Sequence, residues 1–217
     1  MLSHIITSFL AVTVALFPIV NPLGMVPVFI ELTEGSTDSV RATVATRIAV
    51  GGLLLMLGAL FVGSYILAFF GLTIPAVQVA GGLLVASTGW RLLNQGDVDR
   101  PKGGAEKVSA DVILRRSFFP LTMPLTVGPG TISVAIVLGS KSAASNDILI
   151  DGIGAVAGVI VVAASIYVCF RYASRVTSFL GPDGSDIVIR LSAFILMCLG
   201  VQILWNGYAA LRAMGAP

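Results

Sequence analysis

Apolar residues fill most of this chain in long stretches that are separated by short polar and charged segments. A helix needs about 20 mainly apolar residues to cross the hydrocarbon core of a bilayer. The pattern predicts spans at 5–32, 46–69, 72–93, 114–139, 148–170 and 187–210. The first and fourth stretches differ from the others because prolines interrupt them. We therefore predict an all-α polytopic membrane protein with six transmembrane helices.

The prolines that interrupt the first and fourth stretches follow the same spacing. The first copy is Phe17-Pro18-x-x-x-Pro22-Leu23-x-x-x-Pro27, and the second is Phe119-Pro120-x-x-x-Pro124-Leu125-x-x-x-Pro129. Each proline removes a backbone donor and disfavours a continuous helix. Broken backbone is tolerated within a membrane only where it is packed in protein or lines a polar cavity. Matched breaks in two halves of a chain are typical of a transporter's binding site.

The polar segment 94–116 divides the chain into two halves. We predict a three-helix repeat over 1–93, a cytoplasmic linker over 94–113 and a second three-helix repeat over 114–217. Because three crossings are an odd number, the second repeat enters the membrane from the opposite side. The two repeats are therefore expected to be inverted, with the first helix of each one broken.

The positions of lysine and arginine predict the orientation. Eleven of these residues fall on the side of the loops after spans one, three and five, and two fall on the other side. The larger group is Arg41, Arg47, Arg91, Arg100, Lys102, Lys107, Arg115, Arg116, Arg171, Arg175 and Arg190, and the smaller is Lys141 and Arg212. Basic residues concentrate on the cytoplasmic side, so both termini are expected outside. An alternative layout makes each broken segment a re-entrant hairpin, which weakens this bias without removing it.

Each break is predicted to restart a helix and to leave backbone groups unpaired. Asn21 or Gly128 would be the N-cap, with Pro22 or Pro129 in the first helical position. The free N–H groups of a helix start attract a carboxylate. The predicted substrate-binding residues are Asn21, Pro22, Gly24, Thr126, Gly128, Pro129, Gly130 and Thr131.

The prolines should also leave carbonyl groups without their helical donors. The carbonyls concerned are those of Val14, Pro18, Leu23, Arg116, Pro120 and Leu125. Such carbonyls accept an ammonium group or a cation. Donors and acceptors close together in an apolar enclosure suit a small zwitterion.

Composition and missing motifs narrow the function further. Charged residues make up 11% of the chain and the mean hydropathy is +0.98, which argues against a soluble domain or a nucleic-acid partner. The sequence has no nucleotide-binding loop, metal-ligand cluster or catalytic pair, so neither enzyme activity nor a cofactor is expected. Asp151 and Arg190 lie near span ends, where snorkelling explains them. A coupling ion, sodium or proton, stays open, and so does a homo-oligomer packed through Gly154-x-x-x-Gly158.

Three stretches resemble the MarC family of bacterial inner-membrane proteins, which is named for multiple antibiotic resistance. They are residues 17–24, Ala80-Gly81-Gly82-Leu83-Leu84, and the run RRSFFPLTMPLTVGPGTISV from Arg115 to Val134. The resemblance implies a multi-pass protein of the inner membrane, similar to transporters of small neutral amino acids such as alanine and glycine.

Three functions therefore stay open on the sequence. The first is a secondary transporter whose small-molecule substrate binds between the two broken helices. The second is a channel for small uncharged solutes, because Asn-Pro at a half-helix start also suits a pore that excludes cations. The third is a membrane protein linked to antibiotic resistance that transports nothing.

Overall fold

A computed structural model describes residues 2–33, 35–94, 114, 117–143 and 147–215. All regular secondary structure in these residues is helical. The elements are α1 (Leu2–Val20), α2 (Val26–Leu32), α3 (Asp38–Phe69), α4 (Ile74–Asn94), a π-helical segment (Ser117–Thr126), α5 (Pro129–Ala143), α6 (Ile148–Arg171) and α7 (Ala173–Ala213). Nearly all of the predicted linker, 95–113, lies outside the described residues. The predicted all-α class is confirmed.

Five helices among the described residues are long and apolar enough to cross a membrane. They are Leu2–Val20, Asp38–Phe69, Ile74–Asn94, Ile148–Arg171 and Gly184–Ala213. The fourth predicted span, 114–139, is divided between the π-helical segment and α5, and each of these pieces is shorter than the roughly 20 residues that a crossing needs. The first predicted span is likewise divided into α1 and α2.

Left-handed glycines determine where two of the helices bend or end. Gly71 has a φ of +67° and follows α3. The Leu72 N–H donates to the Leu67 carbonyl at 2.9 Å, and the Gly71 N–H donates to the Ala68 carbonyl at 3.1 Å. This pair of bonds is a Schellman motif, which turns the chain sharply from α3 into α4. Gly181, with a φ of +68°, interrupts α7 before the apolar span begins.

Several helix pairings recur when the two halves of the chain are exchanged. The principal contacts are α4 with α7, α1 with α6, α3 with α5 and α3 with α6. If α1 is exchanged with the π-helical segment, α2 with α5, α3 with α6 and α4 with α7, the α1–α6 contact becomes the contact of the π-helical segment with α3, and the α4–α5 contact becomes the α7–α2 contact. The α4–α7 and α3–α6 contacts become themselves. The buried core consists mainly of apolar residues from α1, α3, α5 and α6.

Small residues bring these helices close together. A Cβ added at Gly82 of α4 would lie 2.7 Å from the Gly200 carbonyl oxygen of α7. A Cβ added at Gly154 would lie 2.5 Å from the Ile5 carbonyl oxygen, and one at Gly158 would lie 3.0 Å from that of Phe9. The motif Gly154-x-x-x-Gly158 therefore packs α6 on α1 within the chain, which answers the question that the sequence left open.

The same α1–α6 contact contains a buried carboxylate. Asp151 is only 9% exposed, and it accepts a hydrogen bond of 2.7 Å from the Ser8 hydroxyl. The sequence explained Asp151 by snorkelling, but the packing of α6 on α1 buries this side chain instead. Asp151 has further interactions besides that with Ser8. Arg190 is exposed, as expected for a residue that snorkels.

Replacing Ser8 with alanine should lower the free energy of unfolding by about 1.5 kcal/mol, because a hydrogen bond to a charged group is lost while Asp151 stays buried. Thermal unfolding in detergent measures the effect. The matched control is Thr7→Val on the same helix, because the Thr7 hydroxyl is exposed and bonds only the Ser3 carbonyl. Equal loss of stability in the two variants would contradict the role given to Ser8.

Candidate functional site

The second break begins with an unusually wide helical segment, Ser117–Thr126. The Val127 N–H donates to the Thr122 carbonyl, five residues back, at 2.8 Å. The hydroxyls of Thr122 and Thr126 donate to the carbonyls of Ser117 and Leu121, each at 2.7 Å. The carbonyls that these hydroxyls bond are not the ones that the prolines were predicted to leave without donors. Threonine hydroxyls of this kind add bonds to the backbone where prolines interrupt a membrane helix.

The helix restarts at α5 in the way that the sequence predicted. The Gly128 carbonyl accepts the first bond of the helix, from the Ile132 N–H at 3.1 Å. Gly128 is thus the cap and Pro129 the first helical residue, where a missing donor costs nothing. The N–H groups of Gly130 and Thr131 belong to the first turn, so no helical carbonyl precedes them to accept their bonds.

The first break uses its polar groups differently. Asn21 has a φ of +48°, and its Oδ1 accepts a hydrogen bond of 3.1 Å from the Gly24 N–H. The predicted cap bond therefore exists, but α2 starts only at Val26, after a turn over residues 22–25. The prediction that the Leu23 carbonyl is unpaired is wrong, because it accepts from the Val26 N–H at 3.2 Å. A Cβ at Gly24 would overlap the amide of the Asn21 side chain, so a larger residue there would displace that amide.

A cavity of about 360 Å³ lies where the two broken helices approach each other. The first broken helix contributes residues on either side of its turn, and the second contributes the cap and first turn of α5. Helices α4 and α7 complete the wall. The lining residues are Ile19, Met25, Val28, Leu84, Val85, Ser87, Thr88, Arg91, Leu92, Thr126, Gly128, Pro129, Gly130, Thr131 and Leu196.

Five of the predicted substrate-binding residues line this cavity, namely Thr126, Gly128, Pro129, Gly130 and Thr131. The other three, Asn21, Pro22 and Gly24, form the turn of the first break and do not line it. Pro22 and Gly24 are buried and Asn21 is partly buried. The first break is thus represented in the cavity by its apolar neighbours Ile19 and Met25.

The sequence did not assign Ser87, Thr88 and Arg91 of α4 to the site. The hydroxyls of Ser87 and Thr88 donate to the Leu84 carbonyl at 2.9 and 2.8 Å, which leaves their oxygens able to accept from a solute. Leu84, Thr88 and Arg91 follow one another at helical spacing, so they share a face of α4. That spacing was readable in the sequence. The sequence could not show that this face of α4 lies against the second break.

Two close contacts hold α4 against the start of α5. A Cβ added at Gly130 would overlap a methyl group of Val85, and a Cβ added at Gly81 would lie 2.5 Å from the Ser133 hydroxyl oxygen. The Ser133 hydroxyl itself donates to the Pro129 carbonyl at 2.9 Å. Gly81 and Gly130 therefore place α4 within reach of the first turn of α5.

The chemistry of the cavity is that of a binding site for a small polar solute. Its walls are mainly apolar, and the polar groups are threonine and serine hydroxyls, backbone N–H groups and one guanidinium. This combination is typical of small-molecule sites. No cluster of histidine, cysteine or acidic residues that could hold a metal ion occurs in the described part of the chain.

These features define a polytopic helical membrane protein whose interrupted helices meet at a cavity. The chain matches the MarC family of integral membrane proteins over residues 6–211. It is 31% identical over 201 residues to the inner membrane protein MarC of Escherichia coli O1:K1, which covers 89% of this chain and 90% of that protein. The MarC proteins of Escherichia coli K12 and Shigella flexneri give the same identity and coverage. No solved structure shows a significant match. The chain belongs to the MarC family.

Proposed function

We propose that this protein is a secondary transporter of small neutral amino acids of the alanine and glycine type. The observation that supports the proposal most is the cavity, to which both broken helices contribute. Binding sites between discontinuous helices near the middle of the membrane are typical of secondary transporters. A cavity of about 360 Å³ is large enough for such a solute together with water, because it lies in the usual range for small-molecule sites.

The proposed architecture is two inverted repeats of three helices, with α1/α2 corresponding to the π-helical segment and α5. The helix pairings that recur when the halves are exchanged support this assignment. The proposed location is the inner membrane, because the relatives are named as inner membrane proteins. Both termini are proposed to lie outside, because most lysine and arginine residues fall on the opposite side. In this orientation Arg91, near the C-terminal end of α4, lies on the cytoplasmic side.

Uptake of labelled alanine and glycine into proteoliposomes tests the transport activity. We expect saturable uptake that a sodium or proton gradient drives. Replacing Thr131 with valine should reduce the apparent affinity about tenfold, because the lost hydrogen bond is worth about 1 kcal/mol or slightly more. Thr43→Val is the matched control, since the Thr43 hydroxyl is exposed and bonds only the Ser39 carbonyl.

Each alternative function has its own outcome in this assay. Flux that does not saturate and ignores both gradients would indicate the channel. Absence of flux for every amino acid, together with no change in the unfolding temperature on addition of any of them, would overturn the proposal, because a bound ligand stabilises the folded state.

A further inference from the structure

Arg91 supplies positive charge to the cavity. Its side chain lines the cavity and is exposed, so it lies where the cavity opens. No carboxylate pairs with it among the described residues. Val85, on the same helix, contacts the first turn of α5 at Gly130. Arg91 follows Val85 by six residues, which is about 9 Å along the helix axis. Arg91 therefore lies less than two helical turns beyond the residue of α4 that contacts the start of α5.

Thr131 is a buried residue of the same cavity. It lines the cavity and only 2% of the residue is exposed. Its hydroxyl makes no hydrogen bond to any residue that the structure describes. A threonine hydroxyl that lines a cavity and makes no bond within the protein can donate to and accept from a solute there. The N–H groups of Gly130 and Thr131, in the first turn of α5, add donors and the positive end of the helix dipole.

The described wall of the cavity favours a negative group over a positive one. Arg91 carries a positive charge, and none of the described lining residues is acidic. A carbonyl that was predicted to hold an ammonium group, that of Leu23, is already bonded to the Val26 N–H. A carboxylate thus has a charged partner here, whereas an amino group meets hydroxyl oxygens but no carboxylate among the described lining residues.

We propose that the cavity recognises its solute by the carboxylate group, which Arg91 and the first turn of α5 bind, and that the amino group is dispensable. The inference rests on the proposed transport function and specifies its substrate class as small monocarboxylates, of which neutral amino acids are one kind. Propionate and lactate should therefore bind, and alaninamide, which keeps the amino group but lacks the carboxylate, should not.

The test measures the unfolding temperature of the purified protein against the concentration of alanine, propionate, lactate and alaninamide. We expect the first three to raise it with apparent dissociation constants within about tenfold of one another, and alaninamide to have no effect. Arg91→Gln should weaken binding of all three carboxylates at least tenfold, and Arg91→Lys should retain part of the affinity, because lysine keeps the charge without the bidentate geometry.

Arg190→Gln is the matched control, because Arg190 is exposed, does not line the cavity and is expected on the same side of the membrane. It should bind all three carboxylates like the unmodified protein. Equal binding of alanine and alaninamide, or unchanged affinity in Arg91→Gln, would overturn the inference. Transport of alanine that propionate does not inhibit would also overturn it and leave the transport function intact. Absence of binding and flux for every solute would overturn both.

Discussion

Replacing Gly139 with alanine is expected to lower the free energy of unfolding by about 3 kcal/mol or more, since overpacking usually costs about 1–3 kcal/mol and backbone cannot move aside as a side chain can. A Cβ at Gly139 of α5 would overlap the Leu60 carbonyl oxygen of α3 and would lie 2.7 Å from its carbonyl carbon. The two helices would have to separate along the core. Thermal or denaturant unfolding in detergent measures the change.

Gly58→Ala is the control for this prediction. Gly58 lies on α3, two residues before Leu60, and a Cβ there would meet no atom within 4 Å. Alanine in an exposed helix interior should stabilise by up to about 1 kcal/mol, because glycine is a poor helix former. If both variants behaved alike, the close approach of α3 and α5 at Gly139 would be wrong.

Replacing Gly130 with alanine is expected to reduce alanine uptake at least tenfold. The added methyl group would overlap a methyl of Val85, and valine on a helix has one strongly preferred rotamer, so it cannot easily turn away. We expect α4 to move away from the first turn of α5, which separates Arg91 from the N–H groups of that turn. Initial rates of uptake into proteoliposomes, corrected for the amount of folded protein, measure the effect.

A second substitution separates this mechanism from general misfolding. Val85→Ala removes the methyl that Gly130→Ala would meet, and the next nearest Val85 atom, its Cβ, would then lie at an ordinary contact distance of 3.4 Å. The double variant should therefore recover most of the uptake that Gly130→Ala loses, as expected for residues in direct contact. Independent, additive losses would contradict the contact. Gly152→Ala, in open space on α6, should leave uptake unchanged.

The two breaks that the proline spacing predicted contribute differently to the cavity. The second leaves the first turn of α5 facing the cavity, with Thr131 buried and its hydroxyl unbonded to the described residues. In the first break the Asn21 side chain bonds the Gly24 N–H within the turn, and the neighbouring Ile19 and Met25 contribute apolar wall. The two breaks have the same proline spacing, but the second contributes polar groups to the cavity and the first contributes mainly apolar ones. The proposed carboxylate site is accordingly concentrated on the second break and on α4.

Part of the candidate site could be predicted because proline acts locally. A missing N–H interrupts a helix wherever it occurs, so Gly128, Pro129 and Thr131 were identified from chain position alone. Arg91 was taken as a loop charge that reports orientation. Its role in the cavity depends on Gly81 and Gly130, which bring α4 against α5 from distant parts of the chain. Similarly, Asp151 looked like a residue at a membrane surface until α1 packed over it.

The sequence by itself determined the membrane class, the five spans that the structure bears out by length and apolarity, and the places where helices break. These follow from local properties, namely the run of apolar residues and the missing donors of proline. The tertiary structure alone decided which face of α4 lines the cavity, that Gly154 and Gly158 pack within the chain, and that the turn of the first break does not line the cavity. These depend on contacts between residues far apart in sequence, where one missing Cβ sets how closely two helices approach.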